Sequence, residues 1–366
     1  RNPPDTLEIL IGKDLNTMPM TPRERWLAVL NRQTPDRIPC DFWGTPEVIE
    51  RLMKEIGCAA EDDLWHILQI DKAHAVQPKY IGPPIPADGD VWGIRYKTQS
   101  YADGLGSYQE VLHYPLAGMS DPAELEDYPW PDPNWFDYSV IPEQLAEWTE
   151  WPVMAGHYEA FYFYSNMRGI ESALADLALH PEFADRALQK IFEFCYEHNR
   201  RMFEAAGKDG GILYTYIAED LGSQCGLRMS LHMIDRFLLP RMKAMVDLAR
   251  VYGIRAFHHD DGACFPVLPR MVEIGIDILN PIQWRCPGME REKLKKEFGD
   301  HFVFHGAVDN QETLPFGTPE DVRNEVKENI RILGAGGGYI VAPCHNLQPN
   351  TPTENILALY ETVGTC

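Results

Sequence analysis

Short apolar runs that end in polar residues recur along the chain and predict the strands of its fold. Amphipathic stretches such as 231–252 and 318–333 separate the later runs and predict helices. Near-continuous apolar runs are typical of parallel strands that helices cover on both faces. The runs lie near residues 37–43, 67–74, 151–158, 211–220, 253–262, 276–283, 302–309 and 338–345. They number eight, as in a (β/α)8 TIM barrel.

The position of the polar residues favours a barrel over the alternative, a doubly wound open sheet. They follow the carboxyl end of almost every run, where barrel active sites are built. No G-x-G-x-x-G sequence opens a helix after the first strand, and the glycines of 334–338 precede a strand. A helix start at Thr21, with Pro22 and Glu24 in capping positions, marks the beginning of the domain. We therefore predict an α/β TIM barrel over 21–366 after an N-terminal arm, 1–20.

Residues 78–135 interrupt the pattern and predict an insertion. This stretch is rich in proline, glycine and aromatic residues, and its segments 93–97 and 108–113 can pair as antiparallel strands. We expect the insertion to pack over the polar strand ends, although a purely structural elaboration is equally compatible. Its candidates for lining a substrate pocket are Trp92, Tyr96, Tyr101 and Tyr108.

Composition narrows the class of protein. A formal net charge of -22 argues against nucleic-acid binding, which needs an excess of lysine and arginine. The eight cysteines are scattered without a C-x-x-C pair, which predicts reduced thiols and a cytoplasmic protein. No stretch approaches the roughly 18 consecutive apolar residues that a membrane span needs.

The segment Phe257–Gly262 carries the densest candidate chemistry. It holds two histidines and two aspartates in consecutive positions, which are costly to bury without partners. His258 and His259 point to opposite sides of a strand, so one of them faces the barrel mouth and the other faces the helices. The strand-end residues that a barrel would bring together are Asp71, His74, His157, Glu219, Asp220, His259, Asp261, Gln283, Asp309, Cys344 and His345.

Imidazole, thiolate and carboxylate donors in one site suit zinc. We predict His259, Cys344 and Glu219 as ligands, with Asp261 as the substitute for Glu219 and a fourth position open to water or substrate. Structural roles remain the alternative. The acidic residues can cap the helices that follow each strand, Cys344 can be a core residue, and we favour structural roles for His157 and His305.

Several segments resemble the uroporphyrinogen decarboxylase superfamily, over nearly the whole chain from about Thr21. They are Thr21–Arg25, Thr34–Pro39, Glu219–Gly222, Gly275–Gln283, His305–Gln311 and Pro349–Ile356. The resemblance implies a TIM barrel, in agreement with the count of apolar runs.

This superfamily contains two chemistries. Its decarboxylases need no metal and hold a porphyrinogen with an arginine-rich segment after the first strand, whereas Asp41–Pro46 contains no arginine here. Its zinc-dependent methyltransferases use a His-x-Cys pattern and a late cysteine, and they exchange methyl groups with a corrinoid protein. His259 matches the family histidine, Asp261 replaces the first cysteine, and Cys344 or His345 takes the late position.

The resemblance therefore implies a zinc-dependent methyltransferase acting on a methoxyaromatic, methylamine, thiol or folate substrate. Its cobalamin would be carried by a separate corrinoid protein. A metal-independent decarboxylase of a smaller acid is the alternative, with Asp71, Asp220 and His345 handling protons. A degenerate barrel serving as a binding subunit is a third reading. For the oligomeric state, a homodimer is one option. The catalytic candidates are Asp220, Asp309 and His345. The candidate substrate contacts are Trp43, His157, Tyr216 and Gln283.

Overall fold

The computed structural model describes residues 19–101 and 106–365. Residues 1–18 of the predicted arm and 102–105 of the predicted insertion lie outside the described residues. The strands are β1 (His74–Ala75), β2 (Lys79–Tyr80), β3 (Arg95–Ser100), β4 (Ser107–His113), β5 (Phe136–Asp137), β6 (Val153–Tyr158), β7 (Tyr214–Ile217), β8 (Arg255–His259), β9 (Ile278–Asn280), β10 (Val303–Val308) and β11 (Tyr339–Pro343).

Helices alternate with the later strands. They are α1 (Pro22–Leu30), α2 (Pro46–Ile56), α3 (Glu61–Ile67), α4 (Ile141–Glu147), α5 (Ala160–Arg168), α6 (Ile170–Leu179), α7 (Pro181–Ala206), α8 (Leu231–Met233), α9 (Leu239–Val251), α10 (Leu268–Ile274), α11 (Arg291–Phe298), α12 (Thr313–Phe316), α13 (Pro319–Leu333) and α14 (Thr353–Thr365). Within 19–101 and 106–365, no helix combines the length and apolar character needed to cross a membrane.

Seven parallel strands form one curled sheet in the order β1-β6-β7-β8-β9-β10-β11. Every residue of β10 and β11 is buried, which explains why these strands appear in the sequence as continuous apolar runs. Helices α7, α9 and α13 pack against strands of this sheet. The prediction of a parallel α/β fold is therefore confirmed, and the carboxyl ends of the strands share one edge.

The first two predicted runs are less regular than expected. The run near 37–43 forms isolated parallel bridges, such as Cys40 with Val341, instead of a strand. Asp41 N donates to Val341 O (2.8 Å) and Asp71 N donates to Cys40 O (2.8 Å), so this segment lies between β11 and the chain leading to β1. Pro39 interrupts the ladder because it has no N–H to donate. The run near 67–74 begins in α3 and yields only the two-residue strand β1.

A buried ion-pair network joins the N-terminal segments. Asp71, whose side chain is fully buried, accepts hydrogen bonds from Arg25 Nη1 (2.9 Å) and Arg37 Nη1 (2.6 Å). The predicted start of α1 is confirmed, because Thr21 and Glu24 form a capping box and Pro22 occupies the first turn. The Asp71 carboxylate is thus committed to two arginines, which corrects its candidate role in proton transfer.

The predicted antiparallel pairing within the insertion is confirmed. Strands β3 and β4 form a hairpin in which Ser100 pairs with Ser107 and Arg95 with His113. The Tyr101 hydroxyl donates to Gln348 Oε1 (3.2 Å), in the loop after β11. This contact places the carboxyl end of β3 near the edge of the sheet where the polar strand ends lie.

Candidate active site

His259 is the last residue of β8 and forms the centre of the site. Its ring stacks with Trp43 and Tyr216, with centroids 5.7 and 5.9 Å away, and it meets the edge of the His345 ring at 5.7 Å. Only 5% of His259 is exposed. Aromatic packing therefore fixes the plane of the ring and leaves its nitrogens to polar partners.

Three potential metal ligands converge here. His259, Asp261 and His345 each offer one donor atom, and these atoms all lie within 4.8 Å of one another. Asp261 Oδ1 lies 3.8 Å and Asp220 Oδ1 lies 3.9 Å from His259 Nε2. Asp261 Oδ1 and Asp220 Oδ1 are each buried without a hydrogen-bond partner among the described residues. Such orphan oxygens are costly, and a cation between them and the imidazoles would satisfy them.

The two imidazoles are not equally prepared to bind a metal. His259 Nδ1 lies 2.6 Å from Asn280 Oδ1, which places the proton of the neutral ring on Nδ1 and leaves the Nε2 lone pair facing the carboxylates. His345 Nδ1 instead accepts a hydrogen bond from Asn346 N (2.8 Å), so its proton lies on Nε2. His259 Nε2 therefore carries no proton in the neutral ring and could bind a metal directly. His345 Nε2 carries the proton and would have to lose it before it could do the same.

Burial also shapes the charges of the cluster. It lowers the pKa of His345, which favours the neutral imidazole that metals bind. It raises the pKa of Asp261, although His259 and His345 act in the opposite direction. A bound cation would compensate the charge of Asp261 and favour its ionised form. The chemistry of this donor set thus fits a divalent metal.

The backbone around Gly222 holds Asp261 in place. Gly222 N donates to Asp260 Oδ1 (2.8 Å), and Ala263 N donates to Ser223 O (2.8 Å). A Cβ atom at Gly222 would overlap the backbone carbonyl oxygen of Asp261. The loop after β7 therefore approaches the loop after β8 more closely than any side chain at this position would permit.

We expect Gly222→Ala to destabilise the fold by about 1–3 kcal/mol and to weaken metal binding, because the added methyl group pushes Asp261 away from His259. Thermal unfolding and zinc titration measure the two effects. Gly226→Ala is the matched control in the same loop, since a Cβ there meets nothing within 4 Å. Equal behaviour of the two variants would contradict this account of the loop packing.

Two predicted ligands lie apart from this cluster. Both carboxylate oxygens of Glu219 accept from Phe161 N at 3.0 Å, so the side chain is directed to the start of α5, and burial raises its pKa well above the usual range. The Cys344 thiol donates to Ile282 O (3.4 Å), and burial likewise raises its pKa. The side chains of Glu219 and Cys344 are therefore not among the three converging donors, and Asp261, predicted as the substitute for Glu219, lies with His345 beside His259.

Other predicted residues have structural partners or line a neighbouring cavity. Asp309 accepts from Thr313 N (3.1 Å), at the first residue of α12, and from Arg285 Nε (2.8 Å), so its carboxylate already has partners in the turn before that helix. Gln283 Oε1 accepts from Gly262 N and supports the loop that carries Asp261.

A cavity of about 730 Å³ adjoins the cluster. Trp43 and Tyr216, which stack on His259, line this cavity, and so does His157. Lys72 brings a positive charge to the lining, and its Nζ donates to Phe42 O (2.9 Å). The aromatic and imidazole lining consists of Phe42, Trp43, Phe136, His157, Tyr162, His198, Tyr214 and Tyr216.

The aromatic side chains predicted from the insertion do not line this cavity. Trp92 packs instead against Phe163, with ring centroids 4.8 Å apart, and the Tyr96 hydroxyl donates to Asp90 (2.7 Å). Their packing partners within the fold explain the difference. Phe136, directly after the predicted insertion, contributes a ring to the wall.

Sequence reasoning missed the polar residues behind His259. Asn280, His305 and Asp41 are buried and connect to it by hydrogen bonds. The available signal was a polar residue at the end of an apolar run, as at Asn280 and Asp41. For His305 we predicted a structural role, and its place is within this buried network.

The sequence is similar to known proteins of one family. A model of the family described as uroporphyrinogen decarboxylase (URO-D) matches residues 134–366. The uroporphyrinogen decarboxylase of Anaeromyxobacter dehalogenans (strain 2CP-C) is 28% identical over 131 residues, 36% of this chain and 35% of that protein. That of Neisseria gonorrhoeae (strain NCCP11945) is 30% identical over 96 residues, 26% of this chain and 25% of that protein. The aligned segments thus span about a third or less of these relatives.

A solved structure extends the likeness to almost the whole chain. The methyltransferase from Methanosarcina mazei superposes with a TM-score of 0.65 and covers 94% of this chain and 99% of its own, at 20% sequence identity. At that identity the likeness shows the shared fold alone.

Proposed function

Because the chain belongs to the uroporphyrinogen decarboxylase family, we propose that it is a metal-dependent methyltransferase that exchanges a methyl group between a small substrate and a corrinoid protein. The observation that carries the proposal is the cluster of His259, Asp261 and His345, with one donor atom from each within 4.8 Å of the others. A site built to handle protons alone has no need for three converging ligand atoms.

We assign the site to zinc, for which two imidazoles and one carboxylate are suitable ligands. Zinc would supply Lewis-acid polarisation of the heteroatom that bears or receives the methyl group. Asp261 stands at the cysteine of the His-x-Cys pattern in the zinc-dependent methyltransferases that the sequence resembles, and we propose that His345 takes the place of their late cysteine. Because oxygen and nitrogen donors are harder than thiolates, we favour a substrate that reacts through oxygen or nitrogen over a thiol.

The remaining residues of the site would bind the substrate and manage its proton. Trp43 and Tyr216 belong both to the cavity wall and to the stack on His259, so a substrate in the cavity would lie against the metal site. The buried Oδ1 of Asp220, 3.9 Å from His259 Nε2, is placed to hold a substrate proton or to complete the ligand set. The half-buried Lys72 is available to a negatively charged substituent.

We further propose a closed barrel, a separate cobalamin-carrying subunit and a cytoplasmic location. The hydrogen bonds that place residues 39–41 between β11 and the chain before β1 support closure of the sheet into an eight-stranded barrel. We propose that a separate subunit carries the cobalamin and that the protein acts in the cytoplasm. The seven cysteines among the described residues are unpaired, in keeping with reducing conditions.

A metal-independent decarboxylase is the second candidate, because the curated relatives are decarboxylases. Since Asp71 is bound to Arg25 and Arg37, that chemistry would depend on Asp220 and His345. Lys72 would then be the cation in the cavity for the carboxylate that is lost.

Metal analysis combined with a methyl-transfer assay tests the proposal. We expect roughly one zinc per chain in protein purified without chelator. We also expect zinc-dependent methylation or demethylation of cobalamin, followed by its visible absorption, with methoxyaromatic, methylamine, folate or thiol substrates. Protein that remains metal-free after incubation with zinc, and yet decarboxylates a small acid, would support the second candidate instead.

A further inference from the structure

Four buried polar side chains form a continuous series of hydrogen bonds that ends on His259. His259 Nδ1 lies 2.6 Å from Asn280 Oδ1, Asn280 Nδ2 lies 2.8 Å from His305 Nδ1, and His305 Nε2 lies 3.2 Å from Asp41 Oδ2. None of the four residues is more than 5% exposed. Because water cannot reach such a network freely, each proton in it must have an acceptor within the network.

Asp41 sets the direction of this series. Its carboxylate accepts hydrogen bonds from Phe42 N (2.9 Å) and Trp43 Nε1 (2.9 Å), as an ionised carboxylate does. His305 Nε2 must therefore carry the proton that it shares with Asp41, which leaves Nδ1 of a neutral ring as an acceptor. Asn280 Nδ2 donates to that nitrogen, and Asn280 Oδ1 then accepts from His259.

A second contact gives the same orientation of the Asn280 amide. Its Nδ2 lies 3.4 Å from the backbone carbonyl oxygen of His305, an atom that can only accept. Rotating the amide by 180° would place Oδ1 against this carbonyl oxygen. The reversed amide would also leave His305 Nε2, in its neutral form, without a proton for Asp41.

We propose that Asn280 and Asp41 are positioning residues that hold His259 in its metal-binding tautomer, with Asp41 acting through His305. The series places the His259 proton on Nδ1 and directs the Nε2 lone pair toward Asp261. Asp41 also fixes the indole of Trp43, whose ring stacks on His259, so one carboxylate controls both the edge and the face of the ligand. The benefit to metal binding rests on the proposed function, whereas the tautomers themselves do not.

Nitrogen NMR of the metal-free protein tests the tautomers directly. With ¹⁵N-labelled histidine, and with His259→Gln and His305→Gln variants to assign the signals, we expect the proton on Nδ1 of His259 and on Nε2 of His305. A proton on Nε2 of His259, or a doubly protonated His305, would overturn the proposal. This measurement requires neither metal nor catalytic turnover.

Metal affinity tests the positioning role. Asn280→Leu removes the acceptor for His259 Nδ1–H, and we expect zinc affinity in a chelator competition to fall about 10–100-fold, as for other residues that orient metal-bound histidines. Asn280→Asp restores an acceptor, and we expect it to recover most of that loss. A failure of Asn280→Asp to bind zinc better than Asn280→Leu would overturn the role.

Asn329→Leu is the matched control for loss of a buried asparagine. Asn329 lies on α13, and its Nδ2 donates to Ala307 O (2.8 Å). We expect this variant to melt at a lower temperature with zinc affinity unchanged. Equal losses of zinc affinity in the two leucine variants would show a packing effect and overturn the proposal. If the unmodified protein binds no zinc, the proposed function fails, and the NMR result still decides the tautomers.

Discussion

His259→Ala is expected to abolish stable zinc binding and to reduce methyl transfer by at least about 100-fold. Removing a residue that only orients a metal-bound histidine typically lowers metal affinity or activity about 10–100-fold. Removing the histidine ligand itself should lower them further. The measurements are zinc content by mass spectrometry and the rate of cobalamin methylation. Circular dichroism verifies that the variant remains folded.

The variants Cys344→Ala and Glu219→Gln are the matched controls, because they remove the ligands that the sequence suggested but that the structure directs elsewhere. Cys344 faces Ile282 O and Glu219 faces the start of α5, so we expect both variants to keep their zinc. Loss of zinc from Cys344→Ala, with retention in an Asp261→Asn or His345→Gln variant, would contradict the ligand set proposed here.

Asp71→Asn is expected to lower the free energy of unfolding by about 3–5 kcal/mol, because removal of one partner from a buried ion pair leaves the other charges uncompensated. The side chain of Asp71 is 0% exposed, and those of Arg25 and Arg37 are only 10% and 15% exposed. Urea denaturation measures the change. The folded variant should still bind zinc, since the network is not part of the metal cluster.

Asp88→Asn provides the comparison with an exposed pair. Asp88 pairs with Arg95 in the insertion, and both side chains are more than 40% exposed. This substitution should have little effect on the free energy of unfolding, because solvent screens an exposed ion pair. If Asp71→Asn were no more destabilising than Asp88→Asn, the buried ion pairs of Asp71 would not stabilise the fold as expected here.

The sequence was sufficient to predict the parallel sheet, the β3–β4 hairpin and the position of His259 at a strand end. These features depend on local periodicity, which a single sequence displays. Asp261 could also be predicted as a substitute ligand, because it lies two residues beyond His259 and points to the same side of the strand. The irregular first run was not foreseeable in detail, since its pairing depends on β11 at the other end of the chain.

The direction of individual side chains was beyond local reasoning. Glu219 follows its strand as a ligand would, but it is turned away by the N–H of Phe161, 58 residues earlier in the chain. Cys344 and His345 are adjacent, so only the tertiary structure decides which of them faces His259. The series of hydrogen bonds from His259 to Asp41 escaped detection because its four residues come from four separate apolar runs, and each one alone resembles an ordinary buried polar residue.

The pairing of the segment around Cys40 with β11 has a consequence for the order of events during synthesis. The contact of Asp41 with His305 joins residues 264 positions apart, and Trp43 stacks on a histidine from the second half of the chain. Contacts between such distant parts of a chain form late, after local elements such as the β3–β4 hairpin. On the ribosome, the histidines and carboxylates of the cluster would therefore remain apart until residues as late as His345 have emerged. Before that point, a metal ion could bind these side chains only one at a time and not as a cluster.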